Sequence, residues 1–252
     1  MSSSPIPRPG ILTRLLIALV PSPCLLCGSP GREALCAPCR HQFFGSVLPR
    51  CRRCAIPVGT DVPLCGQCIA EPPNFHRTVT ACSYAAPIDQ LVLGLKFGQQ
   101  LAIAPALAGL LAEAIRHRCN RSGKADEIAD LLIPVPLSAA RLAQRGFNQA
   151  LEIARPLAQQ LQRPLVPRLL QRCRDTTAQS LLHPDQRQRN VRHAFALNDS
   201  DPATIASLRG RHIGVVDDVM TTGATLQEIA HCLTRHGAST VTNYVFARTP
   251  IR

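Results

Sequence analysis

The chain has 252 residues, 46% hydrophobic but only 4% aromatic and without tryptophan, enough apolar mass for one large core and a smaller one. Its formal charge is +12, and 26 of its 28 basic residues are arginine, Lys96 and Lys124 being the lysines; such a surface suits phosphates and polyanions such as nucleic acid, and equally a plain solvated face. No run of about eighteen apolar residues occurs, which excludes a membrane-spanning helix from the expectations.

Residues 1–10 are rich in Ser and Pro and read as a disordered tail, and 11–20 as a short amphipathic helix. Arg14 inside that apolar stretch, with Pro21 and Pro23 after it, argues against a secretory leader, so a cytoplasmic protein is expected. In that compartment closely paired thiols more often hold a metal than form disulfides. Four Cys-x-x-Cys knuckles follow, beginning at Cys24, Cys36, Cys51 and Cys65. Two knuckles set four thiolates around one tetrahedral ion, so four predict two zinc sites in a small module over 21–73. Sequential pairing gives Cys24, Cys27, Cys36 and Cys39 for one zinc and Cys51, Cys54, Cys65 and Cys68 for the other. The spacing alone also admits interleaved pairs and, less readily, iron–sulfur ligation. Such modules mostly hold a chain segment together, and Arg50, Arg52 and Arg53 add a route to direct partner contact.

After Pro72 and Pro73 the texture changes. Thr78 to Tyr84 predicts a strand, Ala86 to Phe97 a helix, Leu101 to Arg118 a second helix and Leu131 to Val135 a buried strand. Phe147 to Leu161 is helical apart from Pro156, and 172–192, rich in Arg and Gln, predicts a mobile loop. His212 to Val216 predicts a strand ending in two aspartates, Thr225 to His236 a helix and Thr240 to Ala247 a last strand. Alternating strands and helices predict an α/β domain over 76–252, a parallel sheet flanked by helices.

The densest chemistry lies in Val215-Val216-Asp217-Asp218-Val219-Met220-Thr221-Thr222-Gly223-Ala224-Thr225. Small residues and hydroxyls opening a helix offer successive N–H groups to a phosphate. Two carboxylates beside such a site repel phosphate and suit hydroxyl groups, which a ribose presents in pairs. The segment resembles the signature by which type I phosphoribosyltransferases bind phosphoribosyl pyrophosphate (PRPP), over all eleven positions. Arg145, Phe147, Asn148, Gln149, Arg174, Thr176, Gln179, Arg187 and Asn190, together with the knuckles, resemble the ComF family from about Cys24 to Arg248.

The resemblance implies a type I phosphoribosyltransferase-like fold behind a double zinc ribbon. It implies PRPP, with Mg2+, at Val216, Asp217, Asp218, Met220, Thr221, Thr222, Gly223, Ala224 and Thr225, and pyrophosphate at Ser138 and Arg141 in the loop after the strand 131–135. Asp217 and Asp218 would serve the reaction, with Arg174 or Arg187 closing from the loop. It further implies a part in DNA uptake, with single-stranded DNA and the uptake machinery as partners. Contact would be mainly to phosphates, since aromatics are few. The alternative is transfer of phosphoribose to an acceptor, although in type I enzymes a hood grips that acceptor and only five residues follow Ala247.

Overall fold

The computed structural model describes residues 22–45, 48–98, 100–122, 128–174, 193–198, 205–206 and 208–250. The predicted tail and helix of residues 1–20 lie outside them, as do Thr176, Gln179, Arg187 and Asn190 of the predicted loop.

The longest β-branched runs build the centre of the molecule. β7 (His212–Met220) and β8 (Thr240–Arg248) are the inner strands of a four-stranded parallel sheet, with β3 (Arg77–Ser83) beside β8 and β4 (Leu131–Pro134) beside β7. Residues 164–166 extend the sheet past β4, since Leu132 N–H donates to Pro164 O (2.8 Å) and Val166 N–H to Leu132 O (2.9 Å). Upstream stand a two-residue ribbon, β1 (Ser22–Pro23) with β2 (Pro30–Gly31), and the helices α1 (Ala37–Phe44) and α2 (Gly66–Ala70). Between the sheet strands run α3 (Ile88–Phe97), α4 (Ala104–Ser122), α5 (Ala139–Arg145), α6 (Gln149–Leu161) and α7 (Ala224–Arg235). A small antiparallel pair, β5 (Leu170–Arg172) with β6 (Phe195–Leu197), completes the set.

Strand alternation divides the interior into two cores. Leu132, Val216, Tyr244 and Phe246 face one core with α3, α4 and α6. Leu131, Ile133, Val215 and Val245 face the other with α7 and the β5–β6 pair. The cysteine knuckles divide the same way, Cys24 and Cys39 joining the first core and Cys51, Cys54, Cys65 and Cys68 the second. Among the described residues no helix is long and apolar enough to cross a membrane.

Three expectations change. β7 does not end at Val216 but runs through both aspartates to Met220, because β8 pairs with it as far as Met220↔Arg248. The segment holding Ser138 and Arg141 is not a loop throughout. It turns into α5, capped at its start by Ser138 Oγ accepting from Arg141 N–H (3.4 Å) and ended by Gly146 at φ +78°. Arg172, expected to begin a loop, is the last residue of β5.

Gly214, fully buried between β4 and β8, marks how closely the central strands are covered. A Cβ there would lie 2.6 Å from Leu132 Cδ2, 2.6 Å from Tyr244 Cε2 and 3.0 Å from Ala129 Cβ. Tyr244 cannot retreat freely, since its hydroxyl accepts from Ala129 N–H at 3.0 Å. Gly214→Ala is therefore expected to cost about 1–3 kcal/mol by overpacking, read as a lowered melting temperature.

Candidate functional site

Parallel strands bring their C-terminal ends to one edge of the sheet, where open α/β sheets bind ligands. Asp217 and Asp218 stand at that edge on β7. Asp218 is buried and Asp217 half-buried, and the Asp218 N–H donates to Asp217 Oδ1 at 2.9 Å. Lys96, from the last turn of α3, places Nζ 2.6 Å from Asp218 Oδ2. Loss of water contact, and then the neighbouring Asp218 charge, push the Asp217 carboxyl well above the usual carboxylate range, against the weaker pull of Lys96. The pair thus offers carboxyl oxygens, restrained by backbone and cation, to groups that donate hydrogen bonds.

Directly beyond, Thr221 and Thr222 turn the chain into α7. Gly223 caps the helix at φ +85°, in the left-handed region that favours glycine, and Ala224 N–H donates to Thr222 Oγ1 at 3.3 Å. The first turn of α7 contains no acidic residue. Its leading N–H groups have no carbonyl partner within the helix, and with the positive end of the helix dipole they suit an anion.

Ser138 and Arg141 follow β4, the neighbour of β7. Val135 N–H donates to Val216 O at 2.9 Å, so this connection lies beside the carboxylates. Asn148 braces it from behind: its Nδ2 donates to Val135 O (3.0 Å) while its Oδ1 caps α6 by accepting from Ala150 N–H (3.0 Å). Arg145 lays its guanidinium over the Phe97 ring, 5.2 Å from the centroid, joining α5 to the end of α3 that carries Lys96. Arg174 lies two residues beyond β5, and His193, two residues before β6, donates its N–H to Glu228 Oε1 of α7 at 2.7 Å. Two residues at this edge escaped the sequence reading, Lys96 and Arg248. Only the scarcity of lysine singled out the first, and nothing singled out the second.

The eight knuckle sulfurs form two groups, Cys24, Cys27, Cys36 and Cys39, and Cys51, Cys54, Cys65 and Cys68, each with its sulfurs within 4.8 Å of one another. The groups repeat each other. In both, the second and third sulfurs are 3.6 Å apart, and the third cysteine's N–H lies 3.4 Å from the first sulfur. In both, the residue after the second cysteine has positive φ, Gly28 at 73° and Ala55 at 59°. Burial raises the Cys24 and Cys51 thiols, but the N–H groups turned onto their sulfurs prevail and bring them to about 6 and about 7. Zinc–thiolate bonds of about 2.3 Å place tetrahedral sulfurs roughly 3.8 Å apart, so both groups fit zinc, which would contribute folding energy there.

A family model described as a double zinc ribbon domain matches residues 15–69, and one described as a phosphoribosyl transferase domain matches residues 148–252. The DNA utilization protein YhgH of Shigella flexneri is 36% identical to this chain over 234 residues, 91% of this chain and 98% of that protein. Competence protein F of Haemophilus influenzae is 30% identical over 217 residues, 86% of this chain and 91% of its own length. Competence protein ComFC of Bacillus subtilis is 33% identical over 121 residues, 47% of this chain and 45% of that one.

Proposed function

Because the chain belongs to the ComF family, in which a double zinc ribbon precedes a phosphoribosyltransferase domain, we propose that it binds PRPP and serves the uptake or use of DNA by holding single strands. One observation carries the first half: a turn of threonines and glycine opens α7 directly after two adjacent carboxylates at the sheet's ligand-binding edge. The α7 N–H groups and the Thr221 and Thr222 hydroxyls take the 5-phosphate. Asp217 and Asp218 accept from the ribose hydroxyls, and Lys96 holds Asp218 in place. Ser138 and Arg141 meet the pyrophosphate, and Arg174 or Arg187, the latter outside the described residues, closes over it. Magnesium, when bound with PRPP, supplies the countercharge for the pyrophosphate. Titration calorimetry of the zinc-loaded protein with PRPP and magnesium is expected to give a saturable one-to-one isotherm. A flat trace to millimolar PRPP would overturn the reading.

The DNA half is supported by a groove of about 1160 Å³ between the end of α1, the segment around Cys51, strand β3 and α4. Arg50, Arg52, His117 and Arg118 line it against Asp61 and Glu113, and Glu113 already pairs with Arg40. With about four phosphates engaged, affinity for a labelled oligothymidylate is expected to fall roughly fiftyfold between 50 and 200 mM salt, measured by fluorescence anisotropy. An affinity indifferent to salt would sink this half. Two such thiolate groups also suit a reducing compartment, the cytoplasm.

A second reading, phosphoribosyl transfer, is favoured by Phe97. Its ring is 67% exposed beneath Arg145, on the same helix end as Lys96, a flat surface for a planar acceptor beside the carboxylates. The bond from the sugar C1 to pyrophosphate oxygen would break as the acceptor's lone pair forms the new bond. Asp217 and Asp218 would stabilise the cation-like sugar between. Pyrophosphate released only when an acceptor is added would select this reading.

A further inference from the structure

Arg248, the last residue of β8, is only 4% exposed, and every hydrogen bond its guanidinium makes among the described residues goes to a neutral oxygen. Its Nε donates to Cys54 O at 2.9 Å. Its Nη1 donates to Met220 O at 3.1 Å, to Thr249 O at 2.8 Å and to Thr221 O. One guanidinium therefore joins the knuckle of Cys51 and Cys54 to the two residues from which the anion loop departs. A buried cation held by neutral dipoles alone is costly, so a counter-charge is needed nearby. The groups placed to supply it are Cys54, Cys65 and Cys68, whose sulfurs become thiolates when a metal binds them. Four thiolates around a divalent ion leave two net negative charges, and the fixed fork of arginine suits the task of facing them while gripping carbonyls on both sides.

A second tie runs in the same direction. Asn74 N–H, from the segment leaving the second cysteine group, donates to Gln227 Oε1 in the first turn of α7 at 2.8 Å. The first cysteine group belongs to the opposite core and has no such link to the loop among the described residues.

We propose that Arg248 is a positioning residue through which the metal-filled second cysteine group sets the shape of the Thr221–Thr225 loop, while the first group does not. The proposal rests on the reading of that loop as an anion site. Coupling of this kind is reciprocal: an anion held by the loop must strengthen metal retention at Cys51, Cys54, Cys65 and Cys68 by the factor by which the metal strengthens anion binding.

Amide hydrogen exchange over residues 220–226 tests it without any ligand. In the full-length protein, Arg248→Met and Cys68→Ser are each expected to speed exchange there about tenfold, with Cys39→Ser at the wild-type rate. The double variant Arg248→Met with Cys68→Ser should exchange no faster than either alone, since both cut the same link. Arg248→Lys, which keeps the charge but not the fork, should fall between. Effects that multiply, or a Cys39→Ser effect as large as that of Cys68→Ser, would overturn the coupling. Should Cys68→Ser not fold, the wild-type protein carries the test: PRPP with magnesium is expected to slow zinc release to a chromogenic chelator from one of the two sites, and Arg248→Lys to lose part of that protection. Equal protection in Arg248→Lys would overturn the coupling as well. PRPP that fails to bind the wild type at all would overturn the PRPP reading, and the exchange measurement would still decide the coupling.

Discussion

Exchanging both Asp217 and Asp218 for Asn is expected to weaken PRPP binding at least a hundredfold, while leaving both zinc ions in place. The two carboxylates stand side by side at the end of β7, Asp217 half-buried and Asp218 buried, with Lys96 held against Asp218. Hydrogen bonds to a charged acceptor contribute about 1.5–3 kcal/mol each, so two of them correspond to roughly 10²- to 10⁴-fold in affinity. Asparagine keeps the shape and loses the charge, and its N–H₂ would meet a ribose donor with a donor. Calorimetry of the variant beside the wild type measures the difference. A variant that binds within tenfold of the wild type would remove the carboxylates from the site and leave only the α7 turn as an anion trap.

The exchange at Asp217 alone separates binding from stability. The Asp217 carboxyl titrates well above its ordinary range because it is withdrawn from water and faces Asp218. A raised carboxyl takes up its proton more readily folded than unfolded. Its contribution is therefore fully favourable below the ordinary carboxylate range near pH 4 and is lost as pH rises through the folded-state value. At neutral pH the same aspartate is ionised in the unfolded chain, and withdrawing that charge from water beside Asp218 burdens the fold, as ligand-binding sites commonly do. Asp217→Asn alone should raise the melting temperature at pH 7 by roughly 2–4 °C and leave it unchanged at pH 4. A variant less stable at both values would mean that the carboxyl is held by favourable contacts.

What sequence made legible here is what is local. The x-x spacing within each knuckle and the eleven-residue run around Asp217 carry their chemistry in adjacent residues, so metal groups and anion turn could be located without a structure. What depends on a distant partner was not legible. Strand β7 outruns Val216 because β8 pairs with it to Arg248, and two aspartates look like a strand end until that partner is known. Lys96 meets Asp218 across a separation of more than a hundred residues, and no pattern announces the pair. Helix α5, at seven residues, is too short for apolar periodicity, yet Ser138 before it and Gly146 after it are ordinary cap signals that bracket it. The three-residue strands β5 and β6 offer no such mark. Arg248 lay in plain view as one arginine among 26, and only its burial distinguishes it from the surface majority.

The second large effect concerns the metal, and it should differ between the two cysteine groups. All four sulfur-bearing residues of the Cys51 group are buried, whereas in the Cys24 group Cys27 is exposed and Cys36 half-buried. A chelator can therefore reach the first zinc in the folded protein but the second only as the fold opens. The Cys51 group also forms part of the core beneath α7, beside Leu226, Ile229 and Val245, so emptying it leaves uncompensated thiols inside that core. Structural zinc in small modules is bound with about 10–16 kcal/mol, comparable to or larger than the roughly 5–15 kcal/mol that holds a whole domain folded. One equivalent of zinc should thus leave quickly with the sheet intact, and the second should leave at the rate of global unfolding, followed by far-ultraviolet circular dichroism in the same sample. If both equivalents leave together while the helical signal stays constant, the ribbons are an ornament on a sheet that stands without them. If the second departs only as the signal collapses, the phosphoribosyltransferase domain is folded around its own zinc module.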